Sequence, residues 1–392
     1  MKQVYLDYAA TTPVDKDVIE AMMPYYSTHF GNASSLHSFG EEAFNGMETA
    51  RDHVSSLIGS QSDEIIFTSG GTESDNAAVK GVAFIMKKQN NIKKGPHVIT
   101  STIEHPGVLQ TCRFLEDYGF QVKYLPVDSL GKVDIAELEE AISRGTFLVS
   151  IMHANNEIGT LQAIKEIGKI ARDHDIFFHT DAVQSVGKEP INVDRMNIDM
   201  LSLSGHKMYG PKGVGALFVR EGISLEPLLH GGGHQKGLRS GTENIPGIVG
   251  LGKACELAKK RMSMDRSRLK KLRDCLIKGV EDIKGSYLNG HPTERLVNNA
   301  HFRFSGVEGE SIIMRLNQMG IAASTGSACS SKELEASHVL RAMGIDEVEA
   351  HGSVRFSLGR GNSDSDVGYV LDTLPGIISE LRAISSLWHD ET

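Results

Sequence analysis

Hydrophobic and polar positions follow two alternating periods between about residues 50 and 220. Short apolar runs of strand length are separated by longer stretches in which apolar residues recur at helical spacing. Strands separated by helices of this length are typical of a parallel sheet that is covered on both faces. We therefore predict an α/β fold whose ligands bind beyond the carboxyl ends of the strands. The predicted strands are 64–68, 97–100, 121–125, 147–152 and 176–179, and the predicted helices are 73–87, 107–118, 135–143 and 164–174.

The pattern changes after residue 258. The segment 259–273 is basic and helical in period, and we interpret it as a solvated helix between two lobes rather than as a docking surface. Short strands predicted at 299–304 and 353–358, with helices around them, favour a smaller α+β domain. We predict a large domain over residues 15–258 and a small domain formed by residues 1–14 and 259–392.

Composition and charge exclude several function classes. The chain has 392 residues and a net charge of −9, and an acidic balance argues against nucleic acid as a partner. No apolar run reaches the ~20 residues of a membrane-spanning helix, and the start of the chain lacks a secretory pattern. Four cysteines without a CxxC pair predict free thiols, and the lack of CxxC and HExxH motifs predicts no metal site. We expect a soluble, cytoplasmic protein.

The first candidate site is the segment 68–76, TSGGTESDN. A predicted strand ends there, two glycines turn the chain, and Thr72 opens the next helix. Free amides and the positive end of the helix dipole make such a turn a phosphate-binding site. An ordinary helix cap with Thr and Glu explains the same residues, and this segment alone does not separate the two interpretations.

Asp181 and Lys207 supply two further groups. Asp181 ends an apolar strand, where its carboxylate can hold a protonated ring nitrogen or can simply cap the next helix. Lys207 lies in the loop SGHKMYGPKG, where its amine is either exposed or a Schiff-base nucleophile whose pKa its surroundings lower. An anion site, a partner for a pyridinium ring and an amine are together the groups that pyridoxal 5'-phosphate requires.

Further motifs occur in order along almost the whole chain. They are YLDYAATTP at 5–13, GNASS at 31–35, EHP at 104–106, NNEIG at 155–159, SGHKMYGPKG at 204–213, RSGT at 239–242, TGSACS at 325–330 and VRFSLGR at 354–360. With these motifs the chain resembles the cysteine desulfurases, in the NifS/IscS-like group of the class V aminotransferase superfamily. The resemblance implies a fold-type I transferase that depends on pyridoxal phosphate, with a mostly parallel sheet covered by helices and a smaller α+β domain.

The same resemblance implies a role for each matching residue. Lys207 would bind the cofactor through its amine, Asp181 would pair with the ring nitrogen, and His105 would stack on the ring and shuttle a proton. Gln184 would donate a hydrogen bond to the phenolic oxygen of the cofactor. The phosphate would be held by Gly71, Thr72, Ser204 and His206, with Thr242 of a neighbouring subunit, and the substrate carboxylate by Asn156, which also belongs to the cofactor site, and Arg355.

Cys329 decides which reaction is expected. Its neighbours are small residues without an apolar anchor, which is unusual around a structural cysteine and favours a nucleophile on a loop. The other three cysteines, Cys112, Cys255 and Cys275, are better explained as buried packing residues of helices.

The resemblance therefore implies a homodimeric cysteine desulfurase. It would convert L-cysteine into alanine, leave a persulfide on Cys329 and pass the sulfur to an acceptor such as an iron–sulfur scaffold protein. Two alternatives stay open: a selenocysteine lyase or aminotransferase on the same fold, in which Cys329 is incidental, and a scaffold homologue without turnover. The presence of Lys207, Asp181, His105 and Cys329 argues against the scaffold homologue.

One glycine-rich stretch imitates a nucleotide-binding loop. The sequence GIVGLGKA at 247–254 nearly matches a P-loop, but Ala254 stands where a Ser or Thr is needed for magnesium. The stretch also continues at helical spacing, and we therefore assign it to a helix.

Overall fold

The computed structural model describes residues 2–89, 97–326 and 336–388. A seven-stranded sheet, a three-stranded sheet and a two-stranded pair account for the strands of these residues. The strands are β1 Val4–Tyr5, β2 Ile65–Thr68, β3 His97–Ser101, β4 Gln121–Leu125, β5 Thr146–Ser150, β6 Phe177–Asp181, β7 Met200–Ser204, β8 Gly215–Val219, β9 Ser286–Asn289, β10 Asn299–Phe304, β11 Ile321–Ala322 and β12 Ser353–Ser357.

Helices cover the sheets and connect most of their strands. The four helices predicted between β2 and β6 occur within a few residues of their expected bounds, because amphipathic spacing and polar caps such as Asp134 define the ends. The basic helix predicted at 259–273 is instead the middle of a longer helix, Ile245–Glu281. The helices are α1 Lys16–Met22, α2 Pro24–Ser27, α3 Ser38–Ile58, α4 Gly71–Gln89, α5 Pro106–Asp117, α6 Ile135–Ala141, α7 Ile164–Asp173, α8 Ile245–Glu281, α9 Gly309–Gln318, α10 His338–Ala342, α11 Glu347–His351 and α12 Asp364–Ala383.

The seven-stranded sheet has the strand order β2-β8-β7-β6-β5-β3-β4, and only β8 runs against the others. The predicted α/β fold with a mostly parallel sheet is therefore confirmed. The antiparallel strand β8 was not predicted. It follows β7 after the short connection 205–214, which is too short for the crossover helix that a parallel strand would require. The connection, which contains Lys207, therefore stays at the carboxyl end of β7.

Both faces of this sheet are buried under helices. Along β2, Ile65 and Phe67 belong to one apolar cluster with residues of α3, α7 and α8, while Ile66 belongs to a second cluster with residues of α4 and α5. The alternation follows from the pleat of the strand, which points successive side chains to opposite faces. The expectation of a sheet covered on both faces is confirmed.

A separate apolar core lies around the three-stranded sheet β9-β10-β12. Phe302 of β10 and Phe356 of β12 pack there with α9, α12 and the second half of α8. Helix α8 contributes Cys255 to the core of the large sheet and Leu276 to this second core. The predicted domain boundary between residues 258 and 259 falls inside α8 and stays a prediction.

The glycines of α8 allow neighbouring helices to approach closely. A Cβ added to Gly252 would lie 2.4 Å from the Cα of Ala50 in α3, and one added to Gly250 would lie 2.6 Å from the sulfur of Met22 in α1. The stretch 247–254 is helical, as expected, and its resemblance to a nucleotide loop results from this packing. Within the described ranges, no helix has both the length and the apolar character needed to cross a bilayer.

The expectation for Cys275 was wrong. Cys275 lies on α8, the same helix that carries Cys255, and its side chain is exposed. The buried stripe of this part of α8 runs through Leu269, Leu272 and Leu276, and Cys275 falls beside it. Cys112 and Cys255 are buried, as expected.

Candidate active site

Three strands of the large sheet end on residues of the candidate site. β2 ends at Thr68, just before the glycine turn, β6 ends at Asp181 and β7 ends at Ser204. Because these strands run in the same direction, their carboxyl ends lie along one edge of the sheet. The edge thus brings together the three segments that the sequence offered as separate candidates.

Lys207 ends the 3-10 turn 205–207 directly after β7. Its Nζ donates hydrogen bonds to the carbonyl oxygens of Ala9 at 2.6 Å and Ala10 at 2.8 Å. The side-chain amide of Gln184 donates to the same oxygen of Ala9 at 3.0 Å. The N-terminal segment therefore holds Lys207 and Gln184 next to each other.

Asp181 is a buried carboxylate, with 6% of its surface exposed. Its Oδ1 accepts a hydrogen bond from the backbone N–H of Val183 at 2.9 Å. Burial raises the pKa of Asp181, while the nearby ring of His105, the hydrogen bond from Val183 and the positive charge of Lys207 act in the opposite direction. The carboxylate therefore lies in a weakly polar environment, and the amine of Lys207 is close enough to influence its pKa.

His105 caps the N-terminus of α5. Its Nδ1 accepts a hydrogen bond from the N–H of Gly107 at 3.0 Å, so that the neutral ring carries its proton on Nε2. Burial lowers the pKa of His105, Lys207 and His338 lower it further, and Asp181 opposes them. One carboxylate oxygen of Asp181 and one ring nitrogen of His105 lie within 4.8 Å of each other.

The N-terminus of α4 faces the end of β7. A Cβ added to Gly70 would lie 3.8 Å from the hydroxyl oxygen of Ser204, and α4 begins at the next residue, Gly71. The first N–H groups of a helix lack intrahelical partners and attract anions. Thr72 is exposed at this end of the helix. The structure thus brings together three of the four residues predicted to hold a phosphate in this chain.

The fourth, His206, lies between Ser204 and Lys207. Its Nδ1 is 3.2 Å from the hydroxyl oxygen of Thr11. Burial and the nearby charge of Lys207 lower the pKa of His206 to about 4. The ring is therefore neutral near pH 7, and it can take part in an anion site only through a hydrogen bond and not through a charge.

Arg355 on β12 is buried, with 3% exposed surface, and joins the second core to the site. Its guanidinium contacts Oδ1 of Asp7 at 2.9 Å and donates to the backbone oxygen of Asn156 at 2.9 Å. Its Nε is buried and has no hydrogen-bond partner among the described residues. The two residues predicted to bind the substrate carboxylate are therefore neighbours, and Arg355 retains an unused donor.

Two predicted site residues do not join this group. Thr242 is exposed, on a loop that contacts the first turn of α4 through an ion pair of 3.0 Å between Arg239 and Glu73. No hydrogen bond within the described residues connects Thr242 to Lys207 or Asp181. Cys329 lies outside the described residues.

Three acidic residues of the site were not singled out from the sequence. Asp7 pairs with Arg355. Glu104 is fully buried and accepts hydrogen bonds from the hydroxyl of Ser101 at 2.6 Å and the N–H of Met152 at 3.0 Å. Burial raises the pKa of Glu104 to about 8. Asp75 is the third, and its position four residues after the start of α4 was the one sequence signal that could have placed it on the site-facing side of the helix.

The chain matches known proteins over nearly its full length. The family model for aminotransferase class-V matches residues 4–370. The protein named cysteine desulfurase IscS of Dictyoglomus turgidum is 54% identical over 385 residues, which are 98% of this chain and 96% of that protein. The cysteine desulfurase IscS of Methanosarcina thermophila is also 54% identical, over 98% of this chain and 94% of that protein.

Solved structures agree with these sequence matches. A structure described as a NifS-like protein has a TM-score of 0.90 and 40% identity, and the match covers 97% of this chain and 100% of that one. A structure described as SspA in complex with cysteine has a TM-score of 0.80 and 42% identity, over 91% of this chain and 99% of that one. The chain therefore belongs to the class-V aminotransferase family, in the group of the NifS-like and IscS cysteine desulfurases.

Proposed function

We propose that this chain is a cysteine desulfurase that removes sulfur from L-cysteine with the help of pyridoxal 5'-phosphate. One observation carries the proposal: the N-terminal segment joins the amine of Lys207 to the guanidinium of Arg355. The carbonyl oxygens of Ala9 and Ala10 accept from Lys207, and Asp7 pairs with Arg355. The N-terminal segment thus brings an amine and a guanidinium that can bind a carboxylate close together. These two groups suit an amino-acid substrate.

The donor set of the site fits pyridoxal phosphate. The N-terminus of α4, with Gly71, Thr72 and Ser204, offers backbone N–H and hydroxyl groups to a phosphate. The buried carboxylate of Asp181 suits a protonated ring nitrogen, and the neutral ring of His105 lies within 4.8 Å of that carboxylate. When bound, the cofactor supplies an electron-poor ring that accepts the charge left after a proton leaves the substrate's α-carbon.

Each residue of the site would then have a distinct task. Lys207 would hold the cofactor through Nζ and move the α-proton of the substrate, while Asp181 would retain the proton of the ring nitrogen. Gln184 would donate a hydrogen bond to the phenolic oxygen of the cofactor. Arg355 and Asn156 hold the substrate carboxylate, which uses the buried Nε donor of Arg355. His105 exchanges a proton with the substrate sulfur through Nε2.

The sulfur transfer requires Cys329. Its thiolate attacks the sulfur of L-cysteine, so that an S–S bond forms while the C–S bond breaks and its electron pair stays on the Cβ of the substrate. Protonation of that carbon yields alanine, and the enzyme keeps a persulfide. Burial argues against two of the other thiols, because it raises the pKa of Cys112 to about 12 and that of Cys255 above its ordinary value. It does not argue against Cys275, which is exposed on α8.

We further infer a cytoplasmic homodimer that passes its sulfur to an acceptor such as an iron–sulfur scaffold protein. Large apolar side chains of α2, α3 and the segment between them are exposed, including Tyr26 at 62%, Phe30 at 64% and Leu36 at 105%. Such a patch favours coverage by another subunit. In that dimer the exposed Thr242 would reach the phosphate of the neighbouring site.

The experiment that tests the proposal is mass spectrometry after incubation of the cofactor-loaded enzyme with L-cysteine. We expect alanine in the solution and one added sulfur on Cys329. The Cys329→Ala variant should lose the persulfide and sulfide release from cysteine. The Cys275→Ala variant removes the exposed thiol of α8 and is the matched control, with turnover as in the parent.

Two results would reject the desulfurase. Sulfide release at the parent rate by Cys329→Ala would show that the thiol is incidental. Turnover of selenocysteine without turnover of cysteine would instead indicate a selenocysteine lyase, and amino-group transfer to a keto acid would indicate an aminotransferase.

A further inference from the structure

A second carboxyl group, that of Asp75, lies next to Asp181. Asp75 belongs to α4, one turn after Gly71, and only 1% of its surface is exposed. Its Oδ1 is buried without a hydrogen-bond partner among the described residues. Its Oδ2 is close to the start of α5, because a Cβ added to Gly107 would lie 2.9 Å from it. A buried and unpartnered carboxyl oxygen requires a compensating group or a proton.

The two carboxyl groups are too close for two charges. One oxygen of Asp75, one oxygen of Asp181 and one ring nitrogen of His105 all lie within 4.8 Å of one another. Both aspartates are buried, and like charges at this distance in a poorly hydrated site disfavour double ionisation. The pair therefore retains one proton near neutral pH.

The surroundings decide which aspartate holds that proton. Asp181 accepts from the N–H of Val183, and the positive charge of Lys207 stabilises its ionised form. Oδ1 of Asp75 instead faces Nε2 of His179 at 3.7 Å, and burial lowers the pKa of His179 to about 3, so that this ring is neutral.

The remaining neighbours favour the protonated form of Asp75. Burial raises the pKa of Asp75 well above its ordinary value, and the charge of Asp181 raises this pKa further. The hydroxyl of Ser202 lowers the pKa, and Glu104 raises it. His179 itself is held by the hydroxyls of Ser150 at 2.9 Å and Ser202 at 3.0 Å, which supply no charge.

We propose that Asp75 is a positioning residue that keeps a proton and, as a neutral acid, supports the single negative charge of Asp181. The assignment of the proton to Asp75 does not depend on a bound cofactor. Its consequence, that Asp75 orients Asp181 toward the ring nitrogen, rests on the proposed function.

Infrared spectroscopy of the cofactor-free protein with ¹³C-labelled aspartate carboxyls tests the proton assignment near pH 7. The labelling separates the aspartates from the buried Glu104. We expect a C=O band of a protonated carboxyl that disappears in Asp75→Asn and persists in Asp181→Asn. A band that persists in Asp75→Asn and disappears in Asp181→Asn would place the proton on Asp181. Absence of the band from the wild-type protein would overturn the proposal without any variant.

Cofactor binding tests the positioning role. The amide of Asp75→Asn still donates a hydrogen bond, so its affinity for pyridoxal phosphate should stay within about twofold of the parent, whereas Asp75→Ala should lose about tenfold. Asp199→Asn is the matched control, because Asp199 directly precedes β7 at the opposite edge of the sheet, and its affinity should not change. Equal losses in Asp75→Asn and Asp75→Ala would contradict a role as a neutral donor.

The two proposals fail separately. If no persulfide forms on Cys329, the desulfurase is rejected, and the infrared band of Asp75 is still expected. If the band is absent while the persulfide forms normally, only the role of Asp75 is rejected.

Discussion

At the scale of single residues, burial keeps several acids and bases of the site neutral. Glu104 has a pKa near 8, and His179 and His206 have pKa values near 3 and 4. Each ionised form would lose its hydration without gaining a full charge partner. The charges that remain belong to Asp181, Lys207 and the Asp7–Arg355 pair, which are the groups proposed to meet cofactor and substrate.

Glu104→Gln should change how stability depends on pH. The pKa of Glu104 in the folded protein, about 8, lies above its ordinary value of 4.5. Glu104 therefore does not lower the free energy of unfolding below pH 4.5, and it lowers that free energy progressively as the pH rises from 4.5 to about 8. Glutamine cannot ionise and escapes this cost. We expect the variant to gain roughly 4 kcal/mol relative to wild type between about pH 5 and pH 8.

Thermal unfolding of the cofactor-free protein measures this effect. The Tm difference between Glu104→Gln and wild type should increase with pH up to about pH 8 and then stay constant. A difference that does not depend on pH would mean that Glu104 is already ionised in the folded protein. Thr49 is exposed, and its hydroxyl donates to the carbonyl oxygen of Asn45, so Thr49→Ala provides a control whose Tm difference should not change with pH.

At the scale of elements, α8 is the structural connection between the two cores. Its first half packs against α3 and α1 through glycines, and its second half packs through leucines into the core around β10. Glycine is unfavourable inside a helix, and its presence at 250 and 252 is explained by contacts that leave no room for a Cβ. The second half of α8 also carries the exposed Cys275.

Gly252→Ala should destabilise the protein although alanine favours helices. Its Cβ would lie 2.4 Å from the Cα of Ala50, which is backbone and cannot rotate away, so α3 and α8 must separate. We expect a loss of about 1–3 kcal/mol, measured by denaturant unfolding. Gly376→Ala in α12, where no atom lies within 4 Å of the new Cβ, is the matched control and should be neutral or slightly stabilising. Equal stability of the two variants would disprove the packing explanation.

At the scale of the whole molecule, the exposed apolar patch and the exposed Thr242 both favour a dimer with shared active sites. Residues from α2 to α3 expose aromatic and aliphatic side chains that a lone subunit would leave in water. The loop of Thr242 is held beside α4 by the Arg239–Glu73 pair, near the proposed phosphate site of its own subunit. Its threonine is nevertheless directed to solvent.

Mixed dimers test the shared site. A Lys207→Ala subunit and a Thr242→Ala subunit should each form weakly active or inactive homodimers, whereas their hybrid contains one site with both residues intact. We expect desulfurase activity to recover to as much as half of the parent activity per hybrid dimer after subunit exchange. Native mass spectrometry of the mixture, with one of the two variants isotopically labelled, measures the extent of exchange. No recovery despite confirmed exchange would place Thr242 outside the neighbouring site.

Much of the fold follows from local sequence patterns. The alternating periods identified β2 to β6 and the helices between them, because the pleat of a strand and the turn of a helix impose their spacing on apolar residues. The same patterns did not identify β7 and β8. The run MLSLS of β7 is buried on both faces and has no helix before β8, so the repeat of strand and helix ends there.

Most candidate residues of the site are also recognisable from short local motifs. Lys207, Asp181 and the glycine turn at 70–71 lie in motifs whose chemistry depends on residue type. Asp75 and Asp7 were not identified from the sequence. Asp75 resembles an ordinary helix residue, and Asp7 is part of an N-terminal motif. Their importance depends on Asp181 and Arg355, which are 106 and 348 positions away in the chain.

The sequence by itself determined most of the elements, the family and the types of reactive groups, because these depend on local spacing and on residue chemistry. Only the tertiary structure decided which groups are charged and which groups meet. The protonation of Glu104 and Asp75 depends on the water excluded by elements distant in the chain, and the link from Lys207 to Arg355 exists because the N-terminal segment lies between them. Burial and long-range contact are properties of the folded chain, and no local pattern encodes them.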